Sequence, residues 1–280
     1  MPATTYAATS PGLGAANTFT ILSGTYTNTV GGTTINGDLG YTTGPAVAPT
    51  VNGSTHNADG TYNQAGIDQG TALTALNSQA CTFTFASGAI NLATDTTHGP
   101  AGVYTPGVYC ITGAASVGTA GITLNGSGTY IFRMTGALTT AANSSVTTIG
   151  GASACNLWWT PAAATTLGAN STFAGTDIDA SGITIGSTVT WTGRALAFGG
   201  TVSTTTDTLT APTCAAAPTP TPTPAPPGGT TVTTPGLPNT GLAPQAKHMP
   251  FATPALVIVI ASVVLYLVRK RIHFPGSRQK

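Results

Sequence analysis

Short alternations of apolar and β-branched residues, separated by glycine steps, fill the sequence from about Gly12 to Pro212. Threonine makes up about one residue in five and favours strands because its side chain branches at Cβ, whereas Asn-Gly and Ser-Gly steps favour turns. Alternations such as Val189-Thr190-Trp191 therefore predict an all-β domain of many short strands. The interval between the alternations drifts, so an irregular solenoid and a sandwich both fit the pattern.

One segment, Tyr62 to Ala80, breaks this pattern. It lacks proline, and its apolar residues recur at helical spacing, at Ala65, Ala72, Leu73, Leu76 and Ala80. Gly66 and Gly70 each weaken a helix by about 1 kcal/mol relative to alanine. We nevertheless predict a single helix of about four or five turns, packed along the β domain.

Charge is scarce, since only 5% of the residues are charged and none is glutamate. Before Lys247 the basic residues are Arg133 and Arg194, so two cations against seven aspartates give that part a net charge of −5. The aspartates are Asp38, Asp59, Asp68, Asp95, Asp177, Asp179 and Asp207. Because nucleic acids require a basic surface, we expect no nucleic-acid partner.

The four cysteines contain no CxxC pair, which argues against zinc-ribbon or thioredoxin-type chemistry. An even number in an exported chain predicts disulfides. The cysteines are Cys81, Cys110, Cys155 and Cys214. The sequence alone leaves all three possible pairings open.

The C-terminal part has the composition of a surface anchor. Residues 215–236 alternate proline with threonine, which favours an extended linker of roughly 70 Å. Phe251 to Val268 is mostly apolar and would span about 27 Å as a helix, close to the thickness of a bilayer core. The basic cluster Arg269-Lys270-Arg271 follows directly, as at a cytoplasmic stop-transfer end. We therefore predict a transmembrane helix that leaves the preceding residues outside the cell.

A pentapeptide between linker and apolar span adds a second interpretation of this anchor. It consists of Leu237, Pro238, Asn239, Thr240 and Gly241. Pentapeptide, apolar span and basic tail together resemble an LPxTG sortase signal. That resemblance implies a sortase-type transpeptidase that cleaves between Thr240 and Gly241 and joins the chain to the cell envelope. An ordinary single-pass anchor with a chance LPNTG is the alternative. Export also implies a signal peptide. The N-terminus of this sequence does not show one, so we expect that it has been removed or is not included in the sequence.

Several segments of the β domain, in their order and spacing, resemble the ice-binding-like family of microbial antifreeze and ice-adhesion proteins. They are Gly14–Phe19, Ile21–Thr25, Thr33–Gly40, Thr105–Tyr109, Tyr130–Arg133, Ala154–Trp159 and Gly193–Ala197. The resemblance implies an irregular three-faced β-solenoid (β-helix) with one long helix packed along it. It divides the chain into an N-terminal segment (1–11), the solenoid (12–214), the linker (215–236) and the sorting signal with its transmembrane segment and tail (237–280).

The family resemblance also suggests which residues bind ice. Ice-binding faces in the family carry a loose T-A/G-x-T/N pattern, which Thr140-Ala141-Ala142-Asn143 matches fully. Ser181-Gly182-Ile183-Thr184 matches it with serine in the first place, and Thr25, Thr27 and Thr29 share one side of a strand. The candidates are therefore Thr25, Thr27, Thr29, Thr140, Ala141, Asn143, Ser181 and Thr184. On such a fold we expect Cys81 to pair with Cys110 behind the helix, and Cys155 with Cys214 at the last strand.

Other chemistry has little support in the sequence. His56 and His98 lack a second ligand at metal spacing, so we interpret them as hydrogen-bonded structural residues. Asp177 and Asp179 supply too few oxygens for calcium. A GxSxG motif is absent. Trp158, Trp159 and Trp191 could stack on sugars, although core packing suits them better.

We therefore expect a non-enzymatic protein without cofactor or metal, displayed outside the cell and binding ice. The alternative is a cell-surface adhesin for glycans or for another cell.

Overall fold

The computed structural model of the protein describes residues 7–214, which form an all-β domain with one long helix. The helix, α1, spans Gly60–Asn77, and two short 3-10 turns span Gly14–Asn17 and Ala154–Asn156. The strands are β1 (Phe19–Asn28), β2 (Thr34–Asn36), β3 (Asp38–Tyr41), β4 (Thr50–Val51), β5 (Thr55–Asn57), β6 (Phe83–Thr84), β7 (Ile90–Asn91), β8 (Val103–Tyr104), β9 (Gly107–Ile111), β10 (Ala115–Val117), β11 (Ile122–Asn125), β12 (Tyr130–Thr140), β13 (Val146–Ile149), β14 (Leu157–Leu167), β15 (Thr172–Ile178), β16 (Ile183–Ile185), β17 (Thr190–Thr204) and β18 (Thr208–Thr210).

The strand pairings within residues 7–214 are all parallel. Long strands contribute to two sides of the molecule, since the first part of β12 pairs with β9 and its last part with β10. Likewise β14 pairs with β15 through its first part and with β16 through its last part. The chain therefore winds in stacked coils. The N-terminal strands β1 and β2 pair with β17 and β18, so the first coil extends the stack beyond the last strands.

A ladder of aromatic rings fills the inside of the coils. Ring centroids lie 4.5 Å apart for Phe132 and Trp159, 5.3 Å for Trp159 and Phe173, and 5.0 Å for Phe173 and Trp191. The indole nitrogens of Trp159 and Trp191 donate to backbone carbonyls of the neighbouring coil, each at 2.9 Å. Trp158 is also buried, under the helix. The tryptophans therefore pack the interior, where burial of large rings contributes most to stability.

The predicted helix is confirmed, with its bounds shifted towards the N-terminus from Tyr62–Ala80 to Gly60–Asn77. It begins at Asp59, whose carboxylate accepts a hydrogen bond from the Tyr62 amide as an N-cap. It ends at Asn77, where the guanidinium of Arg133 donates to the carbonyls of Asn77 and Gln79.

Gly66 lies on the buried side of α1, directly over the ring of Phe198. A Cβ atom there would lie 2.4 Å from that ring, whereas a Cβ at Gly70 would meet nothing within 4 Å. Glycine has a low helix propensity, but at position 66 the absence of a side chain allows the helix to approach the strands closely.

Both expected disulfides are present, Cys81–Cys110 and Cys155–Cys214. The guanidinium of Arg133 donates to both sulfurs of the first pair at 3.0 Å. The first disulfide thus fixes the chain just after α1 to strand β9, and the second fixes the residues after β18 to the 3-10 turn Ala154–Asn156.

The two histidines of the domain have structural partners, as the sequence indicated. The Nδ1 atom of His56 lies 2.8 Å from Asp59, while His98 contacts Asp95 and the carbonyl of Val103. Within residues 7–214 no group of three or more metal-ligating side chains comes together.

Several predictions concern residues outside the described part. The residues concerned are the first six, the linker (215–236), the pentapeptide Leu237–Gly241, the apolar span from Phe251 to Val268 and the basic tail. Among the described residues, no helix has the length and apolar character needed to cross a membrane.

Candidate functional site

The helix covers one side of the coil stack, where Leu22, Ile131, Trp158 and Leu196 pack beneath it. The adjoining side is not covered by the helix and contains seven paired strands. It is formed by β7, β10, the last parts of β12 and β14, β16, and the last parts of β17 and β1. We call this side the long face.

One residue from each strand of the long face stands in a single column, because these strands pair in continuous register. In order of stacking they are Asn91, Ser116, Thr139, Thr166, Thr184, Ser203 and Thr27. Their neighbours along the strands, such as Leu138, Ile183 and Val202, point inwards and are buried. Neighbouring strands lie about 4.8 Å apart, so this column is about 29 Å long.

Small residues flank this column two positions earlier along each strand. In the same order they are Ala89, Ala114, Ala137, Ala164, Gly182, Thr201 and Thr25, and a register shift between β12 and β14 pairs Ala137 with Ala163. Thr25 stands between Thr201 of β17 and Thr43 of the next coil, so three threonines close this end of the face. Alanine and glycine carry no long side chain, and the long face is therefore free of protrusions beside the hydroxyl column.

The hydroxyls at the centre of the column are available to solvent. Thr139, Thr166 and Thr184 are exposed, and within the described part of the chain their hydroxyls make no hydrogen bond. At the end of the column the Thr27 hydroxyl donates to the Ser203 hydroxyl at 2.7 Å. The centre of the long face thus presents methyl groups together with unpaired donors and acceptors, on side chains whose β-branch restricts rotation.

Five of the candidate residues lie on or beside the long face. Thr27 and Thr184 belong to its hydroxyl column, and Thr25 belongs to the flanking column. Thr29 is exposed one residue beyond the end of β1. Ser181 is exposed at the start of the face, where its hydroxyl contacts the Ala162 carbonyl at 3.3 Å.

The structure places the other three candidates differently, and Thr140 requires a correction. Its side chain points inwards, is 8% exposed, and accepts a hydrogen bond from the Gly168 amide at 2.9 Å. Thr139 takes the outward place instead. Ala141 and Asn143 follow the end of β12, where the chain leaves the long face.

The segment Thr140-Ala141-Ala142-Asn143, which matches the family pattern, therefore lies at a corner of the coil and not on the long face. Asn143 has a φ of 60°, and the corresponding corner residues Asn170 and Thr188 have φ of 57° and 60°. The amide of Asn143 donates to Ala169, and that of Asn170 to Ser187, each at 2.9 Å. Asparagine suits these positions because it adopts the left-handed conformation more readily than other residues with a side chain.

The outward residues Ser116, Thr139, Thr166 and Ser203, together with Asn91, are functional candidates that sequence reasoning missed. The sequence does contain a signal for them, because outward polar residues alternate along each strand with buried apolar residues such as Leu138 and Leu167. It is ambiguous at Thr139-Thr140 and Thr165-Thr166, where one threonine of each pair faces inwards.

The two outward columns of the long face contain no charged residue, and the aspartates nearest to them, Asp177 and Asp179, lie beneath the face beside Thr165. Asp177, Asp179 and Asp207 are buried, and burial raises the pKa of each carboxyl, that of Asp177 well above its usual range with a further contribution from the charge of Asp179. Burial lowers the pKa of Arg194 to about 10, and its guanidinium donates to the carbonyl and the side chain of Asn17. The long face is therefore electrically neutral.

Comparison with known proteins gives the same family from sequence and from structure. The sequence profile of the family described as Ice-binding-like matches residues 21–210. An ice-binding protein of Flavobacterium frigoris is 32% identical over 198 residues, which cover 66% of this chain and 71% of the relative. One of Nostoc sp. is 31% identical over 210 residues, covering 70% and 72%.

Two solved structures share the fold at moderate identity. The crystal structure of an ice-binding protein from an Antarctic biological consortium superposes with a TM-score of 0.65 at 28% identity, over 75% of this chain and 95% of the other. That of an ice-binding protein from the ascomycete Antarctomyces psychrotrophicus gives 0.61 at 29% identity, over 72% and 98%.

Proposed function

Because the chain belongs to the ice-binding-like family, we propose that it binds ice crystals and that the long face is the surface that adsorbs to them. The observation that carries this assignment is the straight column from Asn91 to Thr27, with free hydroxyls at its centre and no charge beside it. Thr25, Thr27 and Thr184 keep their candidate roles, and Thr139 and Thr166 join them.

The physical basis is a match between two periodic surfaces. Threonines stacked at about 4.8 Å repeat hydroxyl and methyl groups in fixed positions. Each hydroxyl can donate and accept a hydrogen bond with a lattice water, while the methyls exclude mobile water from the space between. A charged side chain would orient water around itself, so the neutrality of the long face supports the proposal.

Family membership makes the chain a binding protein rather than an enzyme. A glycan adhesin would bind sugar rings on exposed aromatic side chains. Trp158, Trp159 and Trp191 are all buried, and the long face carries no aromatic residue in its outward columns. The structure therefore favours ice over glycans.

We also propose that the domain is displayed outside the cell. Two disulfides within 134 residues fit an oxidising compartment. The linker, the LPNTG pentapeptide and the apolar span support anchoring through a transmembrane helix, attachment by a sortase, or both in succession. Residues 12–214 would then form an irregular three-faced solenoid carried on a stalk.

The central test is Thr166→Tyr, which places a ring in the middle of the hydroxyl column. Thr71→Tyr is the matched control because Thr71 is an exposed threonine on α1, away from the long face. Thermal hysteresis and inhibition of ice recrystallisation should fall several-fold for Thr166→Tyr alone, with an unchanged melting temperature. Wild-type activity in the folded Thr166→Tyr variant would contradict the assignment of the long face.

A further inference from the structure

A second array of threonines lies on strands that continue past the corner of the long face. These strands are β15, the first part of β17, β18, β2 and β4. One outward residue from each forms a column of threonine only, namely Thr172, Thr190, Thr208, Thr34 and Thr50. We call this side the paired-threonine face.

A second column stands two residues further along the same strands. It consists of Thr192, Thr210, Asn36 and Asn52, while Ala174 at the corresponding position of β15 is only 7% exposed. The residue between the two columns points inwards on each strand, and Phe173, Trp191, Leu209 and Ile35 are at most 1% exposed. Buried side chains of this size hold every threonine of the face outwards. The registers along these four pairings are free of bulges, so the array is regular in both directions.

The first column has all its hydroxyls free. Within residues 7–214, none of its five threonine hydroxyls makes a hydrogen bond to the protein. In the second column the Asn36 amide donates to the Thr210 hydroxyl at 2.9 Å, and the Asn52 amide donates to Asn36 at 2.8 Å. These bonds fix the side chains of Thr210, Asn36 and Asn52, while the first column remains available to a ligand.

The chemistry of the paired-threonine face excludes most classes of ligand. Its outward positions carry no charge, so neither nucleic acid nor an anionic membrane surface is attracted to it. They carry no aromatic side chain either, so sugars lack a stacking platform and a protein partner lacks the usual anchors. What remains is a rigid lattice of hydroxyls and methyls, about 19 Å by 7 Å, whose natural complement is another lattice of hydroxyl groups.

We infer that the paired-threonine face is a second ice-binding surface, and that it binds a crystal plane other than the one bound by the long face. In two coils the chain turns from the long face to the paired-threonine face at a corner that contains a left-handed residue, Asn170 in one and Thr188 in the other. The two arrays are therefore inclined to each other and cannot both lie flat on one plane. This inference rests on the proposed ice-binding function.

The experiment compares the planes of a single ice crystal that fluorescently labelled protein coats. Amine-reactive dye suits the full chain, because its lysines, Lys247, Lys270 and Lys280, all lie after residue 214. The variants are Thr190→Tyr for the paired-threonine face, Thr166→Tyr for the long face, both together, and Thr71→Tyr as the control. Thr190→Val, which keeps the shape and removes one hydroxyl, accompanies them, and melting temperatures establish that each variant folds.

We expect the wild type and Thr71→Tyr to coat two sets of planes, with Thr190→Tyr losing one set and Thr166→Tyr the other. If Thr190→Tyr coats every plane that the wild type coats, the second surface is refuted and the proposed function stands. If the wild type coats no plane, the proposed function and the inference both fail. If Thr190→Tyr abolishes all binding and Thr166→Tyr none, the paired-threonine face is upheld as an ice-binding surface and the assignment of the long face is overturned.

Discussion

The two glycines of α1 provide a test of how the helix packs. Both interrupt the same helix, yet Gly66 lies against the Phe198 ring and Gly70 faces open space. Replacing an exposed helical glycine by alanine stabilises a protein by about 0.5–1 kcal/mol, because alanine loses less backbone entropy on folding. Gly70→Ala should therefore raise the free energy of unfolding by that amount.

Gly66→Ala gains the same helix propensity, but its added methyl group overlaps with the ring of Phe198. The added methyl would lie 2.4 Å from the Phe198 ring, which itself packs against Tyr62 with 5.0 Å between ring centroids. Because the ring can give way only by disturbing its contact with Tyr62, we expect an overpacking cost of about 1–3 kcal/mol. The difference between the two variants isolates that cost from the propensity that they share.

Urea unfolding, followed by circular dichroism, measures both free energies, and thermal scans should separate the two melting temperatures by about 2–12 °C. Gly66→Ala should be the less stable of the two in every buffer. If Gly66→Ala stabilises as much as Gly70→Ala, α1 does not contact Phe198 as described and the close approach of helix to strands is refuted.

Three further changes test other parts of the structure. Replacing Cys81 and Cys110 by alanine opens a loop whose ends are 29 residues apart, which in the chain-entropy relation lowers the free energy of unfolding by about 3.6 kcal/mol; a loss below about 1 kcal/mol by urea titration would contradict it. Because burial raises the pKa of Asp177, the folded state binds its proton more tightly than the unfolded state; stability is therefore greatest below the unfolded pKa and is lost as pH rises through the folded pKa. Asp177→Asn should reduce this loss in urea titrations from pH 4 to 9, and an unchanged pH profile would refute it. Asn143→Ala should lower the free energy of unfolding by about 1 kcal/mol, since alanine adopts a positive φ less readily than asparagine, and it should leave ice-plane binding intact. Loss of binding in the folded variant would indicate that Asn143 contacts ice directly.

The sequence predicted the elements of the fold well because their signals are local. Period-two alternation indicated strands, helical spacing indicated α1, and the resemblance supplied the coil arrangement and both disulfides. The contacts at the end of α1 could not be predicted, because Arg133, which donates to the carbonyls of Asn77 and Gln79, lies more than fifty residues away along the chain.

The site was harder to predict than the fold. Which residues stack in one column depends on the register between coils, which a linear sequence does not show. An error of one residue along β12 selects the buried Thr140 in place of the exposed Thr139. The threonines of the paired-threonine face come from distant parts of the described domain, since Thr34 stacks on Thr208. Nothing in a linear pattern brings those two residues together.

The Cys155–Cys214 disulfide determines how the domain responds to a pulling force. A load applied to the chain beyond residue 214 reaches Cys214 and can pass through the disulfide to Cys155, which lies two residues before β14, as well as along the backbone to β18. The short strand β18, with three residues paired between β17 and β2, is thereby shielded from being peeled off the stack. Force on the chain after residue 214 is therefore shared by a covalent bond and the eleven-residue strand β14, and the three-residue strand β18 does not carry it alone.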